Sequence, residues 1–245
     1  MNTGSSAIII GASSRIGTAL CEQWQKDQAI ENIIAISRKP VPADISAQQG
    51  NVHYIQTEYD ESSIAATCET IKSLANTVSR VCICNGILHN EDIWPEKRIE
   101  ELNLDTLQQV FTINSFTPVL WLKALLPLVK SKDECIISVF SARIGSIDDN
   151  RSGGWYSYRA SKAALNMLLK TAAIEYARRA ANVKLIAFHP GTTDTPLSKP
   201  FQGSVKKENL FTPEYVASHL ANVMNTQTID GECAFVDWEN KAIAW

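Results

Sequence analysis

The segment WYSYRASKAALNML, residues 155–168, places a phenol and an ammonium four positions apart. On a helix Tyr158 and Lys162 share one face, and Ala160, Ala163 and Ala164 let that helix pack closely. A phenol is a poor proton carrier at its ordinary pKa of about 10, and a cation beside the phenolate lowers it. Bringing it near neutrality takes about three units, or roughly 4 kcal/mol of differential stabilisation, within reach of a lysine and a second, bound cation together. Tyr156 is a rival phenol, but it lies six residues before Lys162 and points to another face.

A second stretch, IIIGASSRIGTAL at 8–20, suits an anion. A strand ending at Ile10, a turn through Gly11, Ser13 and Ser14, and a helix from about Arg15 through Ile16 and Gly17 aim backbone N–H groups and a positive helix end outward. A plain strand-to-helix turn is the alternative. The following strand ends in ISRKP, placing Ser37, Arg38 and Lys39 where a dinucleotide-binding fold discriminates between cofactors. An acidic residue there bonds a ribose 2′-hydroxyl, whereas a hydroxyl beside a guanidinium suits a 2′-phosphate. This favours NADP(H) over NAD(H), with a solvated basic turn as the alternative.

Those residues need a frame. Short β-branched runs, AIII (7–10), NIIAIS (32–37), VHYIQ (52–56), RVCIC (80–84), CIISVF (135–140), VKLIAF (183–188) and CAFVD (233–237), alternate with stretches of helical spacing. The helical stretches are 16–28, 61–78, 103–129, 157–181 and 213–225. Apolar strands spaced by helices predict an α/β chain with a doubly wound parallel sheet and helices on both faces, the Rossmann arrangement. Ligands then bind outside the carboxyl ends of the strands. A chain of 245 residues, 45% hydrophobic, has the apolar material for a single domain over 1–245.

The remaining composition excludes other classes. A net charge of −3 with scattered lysines and arginines gives no footprint for nucleic acid. The opening MNTGSSAIII lacks a basic region and a signal-length apolar run, and no later run reads as the ~18 apolar residues of a membrane helix. A cytoplasmic protein without a membrane partner is expected. The six cysteines, at 21, 68, 82, 84, 135 and 233, have neither disulfide-scaffold density nor zinc spacing, and Cys82 and Cys84 read as small hydrophobes on a strand. Histidines 53, 89, 189 and 219 are dispersed, so no metal is expected.

GASSRIG after the first strand, NG after the fourth, Asn114 in FTINSFTP, Ser141 in SVFSARIG, YRASK, and HPGTTDT at 189–195 occur in the order and spacing of the short-chain dehydrogenase/reductase family. The chain resembles that family along its whole length. SARIGSIDDNRSGGWYSYRASKAALN, DTPLSKPF and FVDWENKAIAW resemble its C-factor-like branch. The resemblance implies that Tyr158 protonates a carbonyl oxygen as hydride arrives, that Lys162 lowers the phenol's pKa and holds the nicotinamide ribose, and that Ser141 donates to the same oxygen. It implies that Asn114 interrupts its helix and holds a water linking Lys162 to solvent, a role suited to the nearby Thr112, Ser115 and Pro118. Pro190, Gly191, Thr193 and Thr195 would bind the carboxamide and pyrophosphate, and Glu58 and Tyr59 would lie beside adenine. Relatives usually carry glycine where Arg15 stands; an ordinary backbone is expected there, with Arg15 reaching a 2′-phosphate beside Arg38. CICNG replaces the usual Asn-Asn-Ala-Gly, so that Asn85 falls on the alanine and Gly86 on the glycine, which implies a modified cofactor wall.

The function implied is an NADP(H)-dependent oxidoreductase moving hydride between nicotinamide and a small carbonyl or alcohol. Leu88, the segment 143–155 and a substrate loop at about 190–212, with Ile147, Trp155, Leu197 and Phe201, would wall a partly apolar pocket. Members of the family that the chain resembles commonly associate through two long helices, here 103–129 and 157–181, so the resemblance implies a homodimer or homotetramer. A cofactor-binding signalling protein of C-factor type with little turnover is the alternative; a sugar-nucleotide epimerase fits less well, because such chains add a large C-terminal region.

Overall fold

The computed structural model describes residues 4–40 and 50–245; Met1 to Thr3 of the opening stretch, and residues 41–49, lie outside the described residues. Among the described residues nine strands form: β1 (Ser5–Ile10), β2 (Ile30–Ser37), β3 (Val52–Gln56), β4 (Val78–Ile83), β5 (Cys135–Phe140), β6 (Val183–His189), β7 (Thr192–Thr193), β8 (Leu210–Phe211) and β9 (Cys233–Asp237). Six α-helices accompany them: α1 (Arg15–Gln25), α2 (Glu61–Leu74), α3 (Leu104–Phe111), α4 (Thr117–Val129), α5 (Tyr156–Arg179) and α6 (Pro213–Asn225). Seven strands make one sheet in the order β3-β2-β1-β4-β5-β6-β9, every pair parallel. The expected α/β fold is therefore present, with each predicted strand in place.

Alternation along β1 shows how two faces are filled by one apolar run. Ile8 and Ile10 join a core with Ile64, Ile71, Trp121, Leu122, Leu165 and Leu169 from α2, α4 and α5. Ala7 and Ile9 point the other way, to Leu20, Trp24, Val216 and Leu220 of α1 and α6. Successive side chains of a strand project to opposite faces, so a sheet covered on both sides needs apolar residues at every position. Cys82 takes its place in the second core as a fully buried small hydrophobe, as expected.

Three helical expectations change. The stretch 61–78 stops at Leu74, because Ala75 is already extended (ψ 136°) and Val78 opens β4. The stretch 103–129 breaks into α3 and α4 around a π-helical turn at Thr112–Phe116. Pro118 has no N–H for the carbonyl of Asn114 four residues earlier, and the Thr117 hydroxyl instead donates to the Thr112 carbonyl at 2.8 Å. The reading that no segment is long and apolar enough to cross a membrane is also corrected. Leu104–Val129 is, by length and composition, and here half of its apolar window is buried within the fold.

The strand order reverses direction between β1 and β4. At such a switch point the loops beyond the two carboxyl ends diverge and leave a crevice for a ligand. Gly11–Ser14 follows β1 and Cys84–Gly86 follows β4, so the two glycine-bearing motifs of the sequence face each other there.

Candidate active site

The turn after β1 is built for close approach. Gly11 is left-handed, with φ 84°, and its N–H donates to the Tyr59 hydroxyl at 3.0 Å. Ser14 is the N-cap of α1, its hydroxyl accepting from the Gly17 N–H at 3.0 Å. A Cβ at Gly17 would stand 2.6 Å from the Gly11 carbonyl, so only glycine lets the helix start this near the strand. Ser13 and Arg15 are exposed and Ile16 half-buried. Arg15 is the first residue of α1 and has an ordinary negative φ, as expected, so its side chain costs the backbone nothing.

At the end of β2, the Ser37 hydroxyl donates to the Lys39 carbonyl at 2.6 Å, and the Arg38 guanidinium stands 5.7 Å from the centre of the Tyr59 ring. Tyr59 serves as a strut under the loop. Its hydroxyl accepts from Gly11 and donates to the Ile36 carbonyl at 3.3 Å, and its ring meets Trp121 edge-on. Burial pushes its phenol up to about 12, which keeps the donating proton in place. Glu58 is exposed beside it.

Four candidate side chains lie near the carboxyl ends of β4 and β5. Lys162 is buried, its ammonium donating to the Phe140 carbonyl at 2.8 Å and lying 5.9 Å from the centre of the Tyr158 ring. Asn114, fully buried in the π turn, accepts from the Ile87 N–H at 2.7 Å and donates to the Ile87 carbonyl at 2.9 Å and to Ser161 Oγ at 3.1 Å. Ser141 follows β5 and donates to Asn166 Oδ1 at 2.6 Å. A Cβ on Gly86 would stand 3.4 Å from Asn114 Oδ1 and 3.7 Å from Lys162 Nζ, which puts the β4 loop against the same group.

Burial sets the proton affinities here. It pushes the Tyr158 phenol up to about 12 and the Lys162 amine down to about 7. The depression of the phenol expected from its lysine neighbour is thus not produced by the chain's own residues, since dehydration of both groups outweighs their attraction at this separation.

Around this group, polar atoms wait for partners. Asn85 donates to the Ile113 carbonyl at 2.8 Å, while its Oδ1 is buried and unpaired. Thr193 Oγ1, after β6, is likewise buried and unpaired. Such groups cost stability unless satisfied, and the donors and acceptor of a carboxamide match the chemistry of each. The residues therefore fit a nicotinamide. Pro190 and Gly191 (φ 71°) lead to Thr193, and Thr195 Oγ1 turns back to the Thr193 carbonyl at 3.4 Å. β7 and β8 pair in parallel, closing the loop between them.

Two functional positions escaped the sequence reading. Asn166 lies one turn beyond Lys162 on the same face of α5, a spacing that signals it. Glu96 is a buried carboxylate at the start of α5: it accepts from the Ser157 N–H at 3.1 Å and from the Ser157 hydroxyl. Its carbonyl accepts from the Trp155 N–H at 2.5 Å. The helix's own N-cap is Trp155, with φ 53° and no side-chain cap, a conformation costing about 1–3 kcal/mol for a bulky residue. A tryptophan at an N-cap is the signal that an outside acceptor is needed. Ile147 of the expected pocket wall is instead exposed, whereas Leu88 is buried.

Residues 5–206 match the family model for short chain dehydrogenase. This chain belongs to the short-chain dehydrogenase family. Members of this oxidoreductase family bind a nicotinamide cofactor and act on small molecules. Over 244 residues, 91% of this chain and 95% of the relative, it is 26% identical to benzil reductase ((S)-benzoin forming) of Bacillus subtilis (strain 168). It is 27% identical over 139 residues to C-signal of Myxococcus xanthus, covering 57% of this chain and 78% of that protein, in keeping with the C-factor-like branch. Its fold superposes on NADPH-bound carbonyl reductase from chicken fatty liver with a TM-score of 0.80, at 24% identity and 99% coverage of both chains.

Proposed function

We propose that this short-chain dehydrogenase is an NADP(H)-dependent carbonyl reductase. The placement of Ser141 and Lys162 at the carboxyl end of β5, with Tyr158 beside Lys162 and Asn114 against the loop after β4, supports the reading. Gly11, Ser13, Ser14, Arg15, Ile16 and Gly17 would take the pyrophosphate on the open N-terminus of α1, and Ser37 and Arg38 the 2′-phosphate. Asn85, Gly86, Pro190, Gly191, Thr193 and Thr195 would hold the carboxamide side, with Glu58 and Tyr59 toward adenine. When bound, the reduced nicotinamide supplies the hydride to a carbonyl carbon.

Tyr158 would then give its proton to the carbonyl oxygen: burial keeps the phenol protonated at neutral pH, and a cation beside it would ease the transfer by stabilising the phenolate. Ser141 would donate to the same oxygen. Its hydroxyl donates to Asn166 Oδ1, and donation to a substrate oxygen requires rotation about the Cβ–Oγ bond that gives up this hydrogen bond. Lys162, near neutrality in its proton affinity, can take up and pass on a proton, and Asn114 orients the wall beside it. The likeness of the solved NADPH-bound reductase supports the cofactor assignment; the choice over NAD(H) rests on Arg38 and Ser37.

The test is NADPH consumption by the purified chain against aldehydes, ketones and diketones, with Tyr158→Phe alongside. Turnover confined to the unmutated chain is expected, with NADPH affinity retained in the variant. NADPH binding without turnover on any carbonyl would instead support the signalling reading, which the C-signal likeness favours.

A further inference from the structure

Aromatic rings leave the candidate proton donor in an unbroken series. Trp155 meets Tyr158 edge-on at 6.3 Å between ring centres, and Phe201 meets Trp155 at 4.9 Å. His89 and Trp94 then meet Phe201 at 5.6 and 5.2 Å and each other at 5.4 Å. These rings come from three separate segments: the chain after β4, the approach to α5, and the turn Lys199–Ser204 of the loop between β7 and β8. The series ends at solvent, where Trp94 is 53% exposed. Burial of apolar area alone would be served by aliphatic residues. Four rings beside one phenol, meeting edge to face except for Trp94 and Phe201, which are tilted at 45°, form instead a surface of ring faces and edges, which recognises another ring.

The first of these rings is held in place with unusual firmness. Gly153, Gly154 and Trp155 are three successive left-handed residues. The Glu96 carbonyl takes the Trp155 N–H, the Glu96 carboxylate takes both donors of Ser157, and Arg159 Nε donates to the carbonyls of Gly153 and Gly154 at 3.3 and 3.0 Å. Glu96 thereby ties the Trp155 backbone and the first turn of the helix bearing Tyr158 to one point.

Resting on the reductase reading, we propose that this wall is an aryl subsite. The carbonyl substrates of this chain carry an aromatic ring on, or one carbon from, the carbonyl, and that ring lies against Trp155 and Phe201. Glu96 is the positioning residue that fixes the wall relative to Tyr158.

A pair of ketones differing only in the ring isolates the effect: 1-phenylpropan-2-one and 1-cyclohexylpropan-2-one, in which a methylene insulates the carbonyl. The expected kcat/KM ratio in favour of the phenyl ketone is about three- to tenfold. Trp155→Leu and Phe201→Leu should each bring the ratio toward one. Glu96→Ala should lower the ratio as well as turnover, and Glu96→Gln, which keeps an acceptor for Ser157, should restore the ratio. A Glu96 that only stabilised the fold would slow both ketones equally. Equal kcat/KM for the two ketones in the unmutated chain, or a ratio untouched by Trp155→Leu and Phe201→Leu, overturns the subsite. If no carbonyl is reduced at all, the reductase reading fails separately. Calorimetric binding of 2-phenylethanol against 2-cyclohexylethanol to the chain with NADP+ then still decides the subsite, upheld by phenyl preference and overturned by equality.

Discussion

Arg15 occupies a place where a glycine would meet no objection, and it does so without strain because Ser14 caps α1 and lets the helix begin one residue later. That frees an exposed guanidinium beside the turn. Together with Arg38 it makes the cofactor assignment testable one residue at a time. Arg38→Asp should weaken NADPH about ten- to a hundredfold and NADH far less, since one charge-assisted contact is lost and a repulsion gained. Fluorescence titration with both cofactors measures this, and an equal effect on the two would remove Arg38 from 2′-phosphate recognition. Asn166 sets the direction of Ser141. Asn166→Leu should lower kcat about tenfold, the equivalent of one misplaced hydrogen bond, with the KM for NADPH little changed. Steady-state kinetics with varied NADPH separates the two quantities.

At the scale of elements, the decisive feature is the break between α3 and α4. A regular helix through 104–129 would point Asn114 elsewhere; the π turn brings it inward to Ile87 and Ser161. Pro118 denies the Asn114 carbonyl a helical partner. Pro118→Ala restores that donor, and the expectation is a turn shifted toward regular helix, with turnover down about tenfold and thermal stability unchanged or raised. Kinetics beside calorimetry checks this; unchanged turnover would show that the turn does not depend on Pro118. The residues for the break were visible in the sequence, but helical periodicity on both sides ran through them without interruption. The early end of α2 has a similar cause. Ala75, Asn76, Thr77 and Val78 carry no pattern that separates helix from strand, and pairing of Val78 with Ser6 of β1 decides for strand.

For the molecule as a whole, burying Lys162 couples the site to stability. Its folded proton affinity lies near pH 7, well below the usual lysine value of 10.5. Between those values the unfolded chain holds a proton that the folded chain does not, so folding is favoured more as pH rises through this window. Below it both states are charged and the full penalty of burial applies. Without cofactor, the melting temperature of the unmutated chain should therefore gain on that of Lys162→Met between pH 7 and pH 9.5. Tyr158, raised to about 12, contributes the opposite slope only above pH 10, outside that range. A constant difference between the two melting curves would mean that Lys162 keeps its charge in the fold.

The sequence by itself determined the strands, the parallel sheet, the glycine turn and the Tyr158–Lys162 pair, because each rests on spacing along a few residues. Apolar runs of five or six with helices between admit few other folds, and a four-residue interval on a helix is already a contact. Only the tertiary structure decided what surrounds them. The sequence separation between Glu96 and Ser157 conceals a buried cap, and Trp155, Phe201, His89 and Trp94 lie on segments that come together only when the sheet is wound. The proton affinities of Tyr158 and Lys162 belong to this second group as well. Dehydration depends on everything packed around a side chain, and no local spacing carries that information.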